Sequence, residues 1–187
     1  MRTFVGIFLP PSIKTELAAS VGLAFGGIGL NIIPEENWHV TLKFLGNVDE
    51  SKKEVLKSAL KSAVEGVQPF SLVVKEGLVL PALSAPRIFS LRVQDDSGGL
   101  IRLAESCENI FSTVGFPREN RSFKPHMTVA RVKPNAAAPT VAQQFCRLAS
   151  ALKPAAFLVD SIALVRSTLN PRGAQYEILY RVNLDHH

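Results

Sequence analysis

The residues of this chain best able to do chemistry come as a matched pair. Apart from the terminal His186 and His187, only two histidines occur, and each opens the same pattern: His39-Val40-Thr41-Leu42 and His126-Met127-Thr128-Val129. An imidazole exchanges a proton near neutrality, its ordinary pKa being about 6.5. Two rings flanking one bond allow one to act as base while the other acts as acid, and such assistance is typically worth about 10²–10⁴-fold. A threonine hydroxyl two residues further on can donate to a phosphoryl oxygen and stabilise charge that grows there. His39, Thr41, His126 and Thr128 together suit metal-free phosphodiester chemistry.

The same spacing predicts what must carry these side chains. Alternate residues of a β-strand share a face. His39 and Thr41 then point one way while Val40 and Leu42 enter a core, and His126 and Thr128 stand likewise above Met127 and Val129. Strict alternation adds Lys43 to the site face and sends Phe44 and Arg131 to the opposite one. One His-x-Thr-x strand would be read as a structural histidine. Two equivalent copies, using both histidines of the chain body, favour function. Rival chemistries lack their signatures: no cysteines or carboxylates cluster at zinc-ligand spacing, no Gly-x-Ser-x-Gly elbow is present, and neither a P-loop nor a dinucleotide fingerprint occurs.

Around the two patterns the chain reads as two halves with one order of elements. The first half starts with a strand over 3–9 and a helix opened by Pro11, ended or loosened by the glycines from Gly22 to Gly29. A strand over 39–45 follows. Ser51 to Glu54 forms a capping-box pattern before an amphipathic helix, and strands follow over 70–74 and 87–93. The second half has a helix over 99–114, a strand over 126–132 ended by Lys133-Pro134-Asn135, and a helix opened by a second capping-box pattern, Thr140 to Gln143. Strands over 157–165 and 175–184 close it. Phe70 and Phe157 open corresponding strands, and 88–93 corresponds to 178–182. Strands mixed with helices without strict alternation indicate an α+β fold with mainly antiparallel pairing. A pseudo-twofold relation between the halves would bring the two motif strands together at a central cleft. Residues 1–187 are thus expected to form a single bilobal domain, with His186 and His187 a possible tag remnant.

Composition narrows the setting. The chain has 187 residues, 47% of them hydrophobic, and a formal charge of +5, a bias that suits an anionic substrate, RNA included. Two cysteines without Cys-x-x-Cys spacing predict free thiols in a reducing compartment. The apolar run after Arg2 is stopped at once by Pro10-Pro11, so it predicts a buried strand and not a signal peptide. No stretch reaches the roughly 20 apolar residues of a membrane span. A cytoplasmic, monomeric protein with no obligate protein partner is the simplest expectation.

The flanking residues extend the pattern to nearly the whole chain. They are Arg2 to Ile7, Glu36 to Gly46, Pro86-Arg87-Ile88, Phe123 to Arg131, and Ser167 with Tyr176. In these stretches the chain resembles the 2H phosphoesterases, specifically the RNA 2′,3′-cyclic phosphodiesterases also called 2′-5′ RNA ligases. The resemblance implies a bilobal fold with an open, basic cleft, and hydrolysis of a 2′,3′-cyclic phosphate to a 2′-phosphate without cofactor or metal. It makes His39 the proton donor, His126 the proton acceptor, and Thr41 and Thr128 the holders of the phosphoryl oxygens. The two motifs are locally equivalent, so the residues alone leave the two proton roles interchangeable. Run in reverse with an RNA 5′-hydroxyl, the same groups would make a 2′-5′ linkage. Arg131, Tyr176 and Lys43 are secondary candidates for substrate binding, and Arg118, Arg121 and Lys124 form a basic cluster before the second motif. Met127 and Val129 replace the usual leucines, and Ser90 and Arg92 depart from the family's cleft wall. The alternatives are a phosphodiesterase for small cyclic nucleotides or 2′-5′ oligonucleotides, and a nucleotide- or RNA-binding module of the same fold without turnover.

Overall fold

The computed structural model describes residues 1–133, 138–171 and 173–185. In chain order the elements are β1 (Arg2–Phe8), α1 (Pro11–Phe25), β2 (Leu30–Ile32), β3 (His39–Asn47), α2 (Lys53–Val64), β4 (Phe70–Leu80), β5 (Ile88–Gln94), α3 (Gly99–Thr113), β6 (His126–Val132), α4 (Ala138–Ala149), β7 (Ala155–Val159), β8 (Ser161–Asn170) and β9 (Gly173–Asn183). The expected turn at Pro134-Asn135 and the terminal His186 and His187 lie outside the described residues. Among the described residues, no helix is long and apolar enough to cross a membrane.

The strands form one sheet, ordered β7-β4-β5-β6-β3-β1-β8-β9, with β2 also on β6, and every pairing is antiparallel. The order mirrors itself about its centre. Moving outward, β3 is followed by β1, β8 and β9, while β6 is followed by β5, β4 and β7. The fold is thus α+β with the two motif strands side by side in the middle. They touch through Val40 and Met127, and β2 takes over the same edge of β6 further along, so β3 and β6 splay apart. β7 and β8 lie on opposite sides of this order, yet only Asp160 separates them in the chain. Two peptide steps span at most about 7 Å, so the sheet must curl until its two sides meet.

One face of the sheet is closed by helices. Val5, Ile7, Val40, Phe89, Leu91, Met127 and Val129 are all buried there. Under them, α4 sends Phe145 against Phe25 of α1 and Phe89 of β5, with ring centroids 4.5 and 5.2 Å apart. The other face is open and carries both motifs.

Several local expectations give way to packing. α1 runs through Gly22 to Phe25 because Val21 and Phe25, four residues apart on one helix face, are both fully buried. The first capping box does not form; Asp49 caps instead, accepting from the Ser51 N–H at 2.8 Å ahead of a short 3-10 turn that leads into α2. α4 begins at Ala138, so Thr140 sits inside its first turn. The single strand expected over 157–165 is two strands with different partners, β4 for β7 and β1 for β8. The correspondence between halves also changes. Sheet position equates β1 with β5 and β8 with β4, whereas the strands opened by Phe70 and Phe157 pair with each other. Both cysteines are free, and burial pushes the Cys107 thiol up to about 12.

Candidate active site

Each motif ring is held in the same way. His39 Nδ1 lies 2.7 Å from the Asn37 carbonyl, and His126 Nδ1 lies 2.7 Å from the Lys124 carbonyl. A carbonyl oxygen only accepts, so both Nδ1 atoms must carry the proton. Nε2 of each neutral ring is then left with its lone pair, the form a base requires. Asn37 is itself fixed, its side-chain amide donating to the Ala174 carbonyl at 2.8 Å, while the neighbouring Trp38 is buried and donates to Ile33 at 2.9 Å.

Beyond this shared anchoring the two half-sites differ, and the difference comes from the strands alongside. Phe8 of β1 stands opposite His39, and Arg92 of β5 stands opposite His126; one step along, Gly6 faces Thr41 and Ser90 faces Thr128. His39 is therefore walled by rings. Phe4 stacks on it at 4.6 Å, Tyr176 meets it edge-on at 5.1 Å and Phe8 lies at 5.6 Å. Gly6 makes the stacking possible, since a Cβ there would come within 3.2 Å of Phe4 and 3.5 Å of the His39 ring. Burial pushes His39 down to about 4; its Asn37 hydrogen bond opposes that, and the nearby His126 adds to it. On the other half, Ser90 is buried and lies 3.3 Å from the Thr128 hydroxyl. With Ser90 donating, Thr128 keeps its own proton free for a ligand.

A bulge after each motif overturns the simple alternation. Val5 pairs with Lys43 and Gly6 with Thr41, so Leu42 is an extra residue in β3. Past it the faces exchange. Lys43 turns to the core side, where it is 3% exposed and bonded to Glu108 at 2.7 Å and to the Pro117 carbonyl at 2.9 Å. Lys43 is a structural ion pair and not part of the cleft, contrary to the expectation from alternation. Phe44 emerges instead, 66% exposed. The second motif repeats the device. Ser90 pairs with Thr128 and Phe89 with Ala130, so Val129 is the extra residue and Arg131 returns to the open side. There its cation acts on the Tyr176 phenol, opposing the upward push of burial.

Of the secondary candidates, then, Arg131 and Tyr176 join the four motif residues at the open face. In the basic cluster, Arg118 is bonded to Asn109, Arg121 is exposed, and Lys124 lines a cavity beside β5. Phe8 has no chemical signature of its own, and Phe4, Gly6 and Arg92 stand out in the sequence only through the family resemblance. The cross-strand register, which picks them out, is not written in any one segment.

The buried ion pair gives a testable consequence. Glu108 also accepts from the Glu119 N–H at 3.0 Å, so it ties α3, β3 and the following loop together. Glu108→Ala should strand a buried ammonium and cost about 3–5 kcal/mol in urea unfolding, with Lys43→Met/Glu108→Leu recovering most of it. A loss well under 1 kcal/mol would mean that the pair is effectively solvated.

Comparison with known proteins agrees with this architecture. The model of the 2′-5′ RNA ligase superfamily matches residues 33–171. The RNA 2′,3′-cyclic phosphodiesterase of Thermotoga maritima is 32% identical over 188 residues, spanning 99% of this chain and 96% of that protein. The protein of the same name from Archaeoglobus fulgidus is 32% identical over 179 residues, spanning 96% and 98%. Among solved structures, TT0787 of Thermus thermophilus superposes with a TM-score of 0.80 at 25% identity, each chain 98% covered. E. coli LigT complexed with 3′-AMP shares the fold, with a TM-score of 0.76 at 24% identity and coverage of 99% and 98%. Both paired motifs fall within the matched residues, and this chain belongs to the 2′-5′ RNA ligase superfamily.

Proposed function

We propose that this protein hydrolyses the 2′,3′-cyclic phosphate at an RNA 3′ end to a 2′-phosphate, using its two motif histidines and no metal. His126 Nε2 takes a proton from water as the water oxygen attacks phosphorus. The bond from phosphorus to the 3′ oxygen breaks, and His39 Nε2 supplies the proton that this oxygen needs. Thr41 and Thr128 donate to the two non-bridging oxygens, whose charge rises as phosphorus becomes five-coordinate. With an RNA 5′-hydroxyl in place of water, the same displacement leaves a 2′-5′ phosphodiester, so joining is the same step with a different nucleophile.

The observation that carries this reading is the twin anchoring of the rings. Two imidazoles on adjacent strands are each fixed through Nδ1, leaving two Nε2 atoms for one ligand. The names of the relatives supply the substrate class. The surroundings of His39 bear on its part as donor. With a pKa near 4 its ring is neutral in the free protein at neutral pH, and an arriving phosphate anion is what favours the charged ring.

Incubation with nucleoside 2′,3′-cyclic phosphates in the presence of a strong chelator should yield the 2′-phosphate, identified by chromatography against both isomers. A 3′-phosphate product would reverse the regiochemistry, and loss of activity restored by zinc would reinstate a metal. Binding without turnover would leave a nucleotide-binding module.

A further inference from the structure

Beside His126 the open face continues into a cavity of about 580 Å³, within the range of ligand pockets. Arg92 and Lys75, which line it, belong to a cross-strand row that starts at His126. His126 of β6 stands opposite Arg92 of β5, and Arg92 stands opposite Lys75 of β4. Residues directly opposite in antiparallel strands share a face. With strands spaced about 4.8 Å apart, the row carries positive charge roughly 10 Å outward from the motif histidine. Lys124 adds a third cation to the lining, and Leu78, Ile101 and Phe123 give it apolar walls. Among the described residues, no salt bridge engages Lys75, Arg92 or Lys124. Of the two carboxylates that line the cavity, Asp95 is consumed by its own loop, accepting from the Ser97 N–H and hydroxyl and from the Leu100 N–H. Glu76 and Asp95 both still carry charge, so the cations of the lining outnumber its carboxylates by one.

The mirror position is built differently. Phe8 occupies the place of Arg92 in the other half, where the floor is built from Phe4, Ala163 and Val165 with Phe8 and Tyr176 packed against them. The cleft is therefore uneven: aromatic rings crowd His39, with Lys14 5.1 Å over the Phe8 ring, and the Arg92–Lys75 row extends from His126.

We propose that the Arg92–Lys75 row and its cavity bind the phosphodiester on the 5′ side of the terminal nucleotide, making an RNA strand, and not a free cyclic mononucleotide, the preferred substrate. Basic side chains in a groove track a single-stranded backbone, while apolar and aromatic walls accept bases without demanding a sequence. This rests on the function proposed above. A nucleoside 2′,3′-cyclic phosphate has the reacting group but no 5′ phosphodiester, so it leaves the row unused.

The test compares kcat/KM for a nucleoside 2′,3′-cyclic phosphate with that for a dinucleotide ending in the same cyclic phosphate, in wild type and Lys75→Gln. Wild type should favour the dinucleotide. Lys75→Gln should lower dinucleotide kcat/KM about fivefold, mainly through KM, and leave the mononucleotide within twofold. An unchanged preference, or equal losses on both substrates, overturns the proposal. If wild type hydrolyses neither substrate, the proposed function fails, and binding then decides the subsite on its own. Fluorescence anisotropy with a 3′-phosphorylated dinucleotide should show weaker binding by Lys75→Gln and a shallower salt dependence, by roughly one phosphate contact. Identical curves for the two proteins overturn it.

Discussion

His39→Ala and His126→Ala are each expected to lower kcat/KM for a nucleoside 2′,3′-cyclic phosphate by about 10²–10⁴-fold. The losses should not add. Once one proton transfer is gone, the other ring has little left to accelerate, so the double variant should be close to the worse single one. The two replacements differ in their structural cost. His39 is packed against Phe4, Phe8 and Tyr176, so alanine leaves a gap among rings, whereas His126 has no aromatic partner among the described residues. His39→Gln keeps more of the volume and separates lost chemistry from lost packing. Near-wild-type turnover in any of these variants, with the fold intact by circular dichroism, would rule out the paired acid–base scheme.

The same variants distinguish the donor from the acceptor, which the local equivalence of the motifs leaves open. A phosphodiester with a nitrophenolate leaving group departs without needing a proton. On that substrate the donor variant should recover much of its loss, while the acceptor variant stays impaired because water still has to be deprotonated. Recovery in His39→Gln and not in His126→Ala fits the roles proposed here, and the opposite pattern exchanges them. The pH profile carries a separate signature. Two groups needed in opposite protonation states give a bell whose acid limb falls at the lower pKa, whichever group that is. With His39 pushed down to about 4, kcat/KM should hold well below the ordinary imidazole value and fall only near pH 4. An acid limb near 6.5 would mean that the ring is not desolvated in solution.

The four motif residues were legible in the sequence because period-two alternation is a local property, and each motif spans only three residues from histidine to threonine. The same rule misplaced Lys43 and Arg131, which lie just past the bulges at Leu42 and Val129. A bulge depends on how two strands register, and the partner strands β1 and β5 lie more than thirty residues away from β3 and β6. Asp160 shows the same limit. The apolar run around it reads as one strand, and only the curl of the whole sheet assigns its two parts to β4 and β1. Helix ends failed for a related reason, since the burial of Phe25 outweighs the weak helix preference of Gly22. The antiparallel α+β class survived these errors because it depends on the order of elements and not on their boundaries.

Thr41→Val and Thr128→Val are expected to lower kcat by about 10²–10³-fold each, the usual cost of removing a donor aimed at developing charge. Valine keeps the β-branched shape that suits a strand, so the change tests the hydroxyl and not the backbone. The loss should appear in kcat more than in KM. The cyclic diester arrives with one negative charge shared by its non-bridging oxygens, and these oxygens become more negative only as water adds. A donor matched to that increase contributes most at the transition state. The two variants should still differ in how neighbours modulate them. Thr128 has Ser90 as a hydroxyl partner at 3.3 Å, whereas the equivalent place beside Thr41 is Gly6. Ser90→Ala should therefore weaken turnover several-fold, and its effect should vanish in a Thr128→Val background but persist in Thr41→Val. A Ser90→Ala effect of equal size in both backgrounds would place Ser90 outside the hydrogen-bond chain, and a change confined to KM would make the threonines binding groups for the ground state.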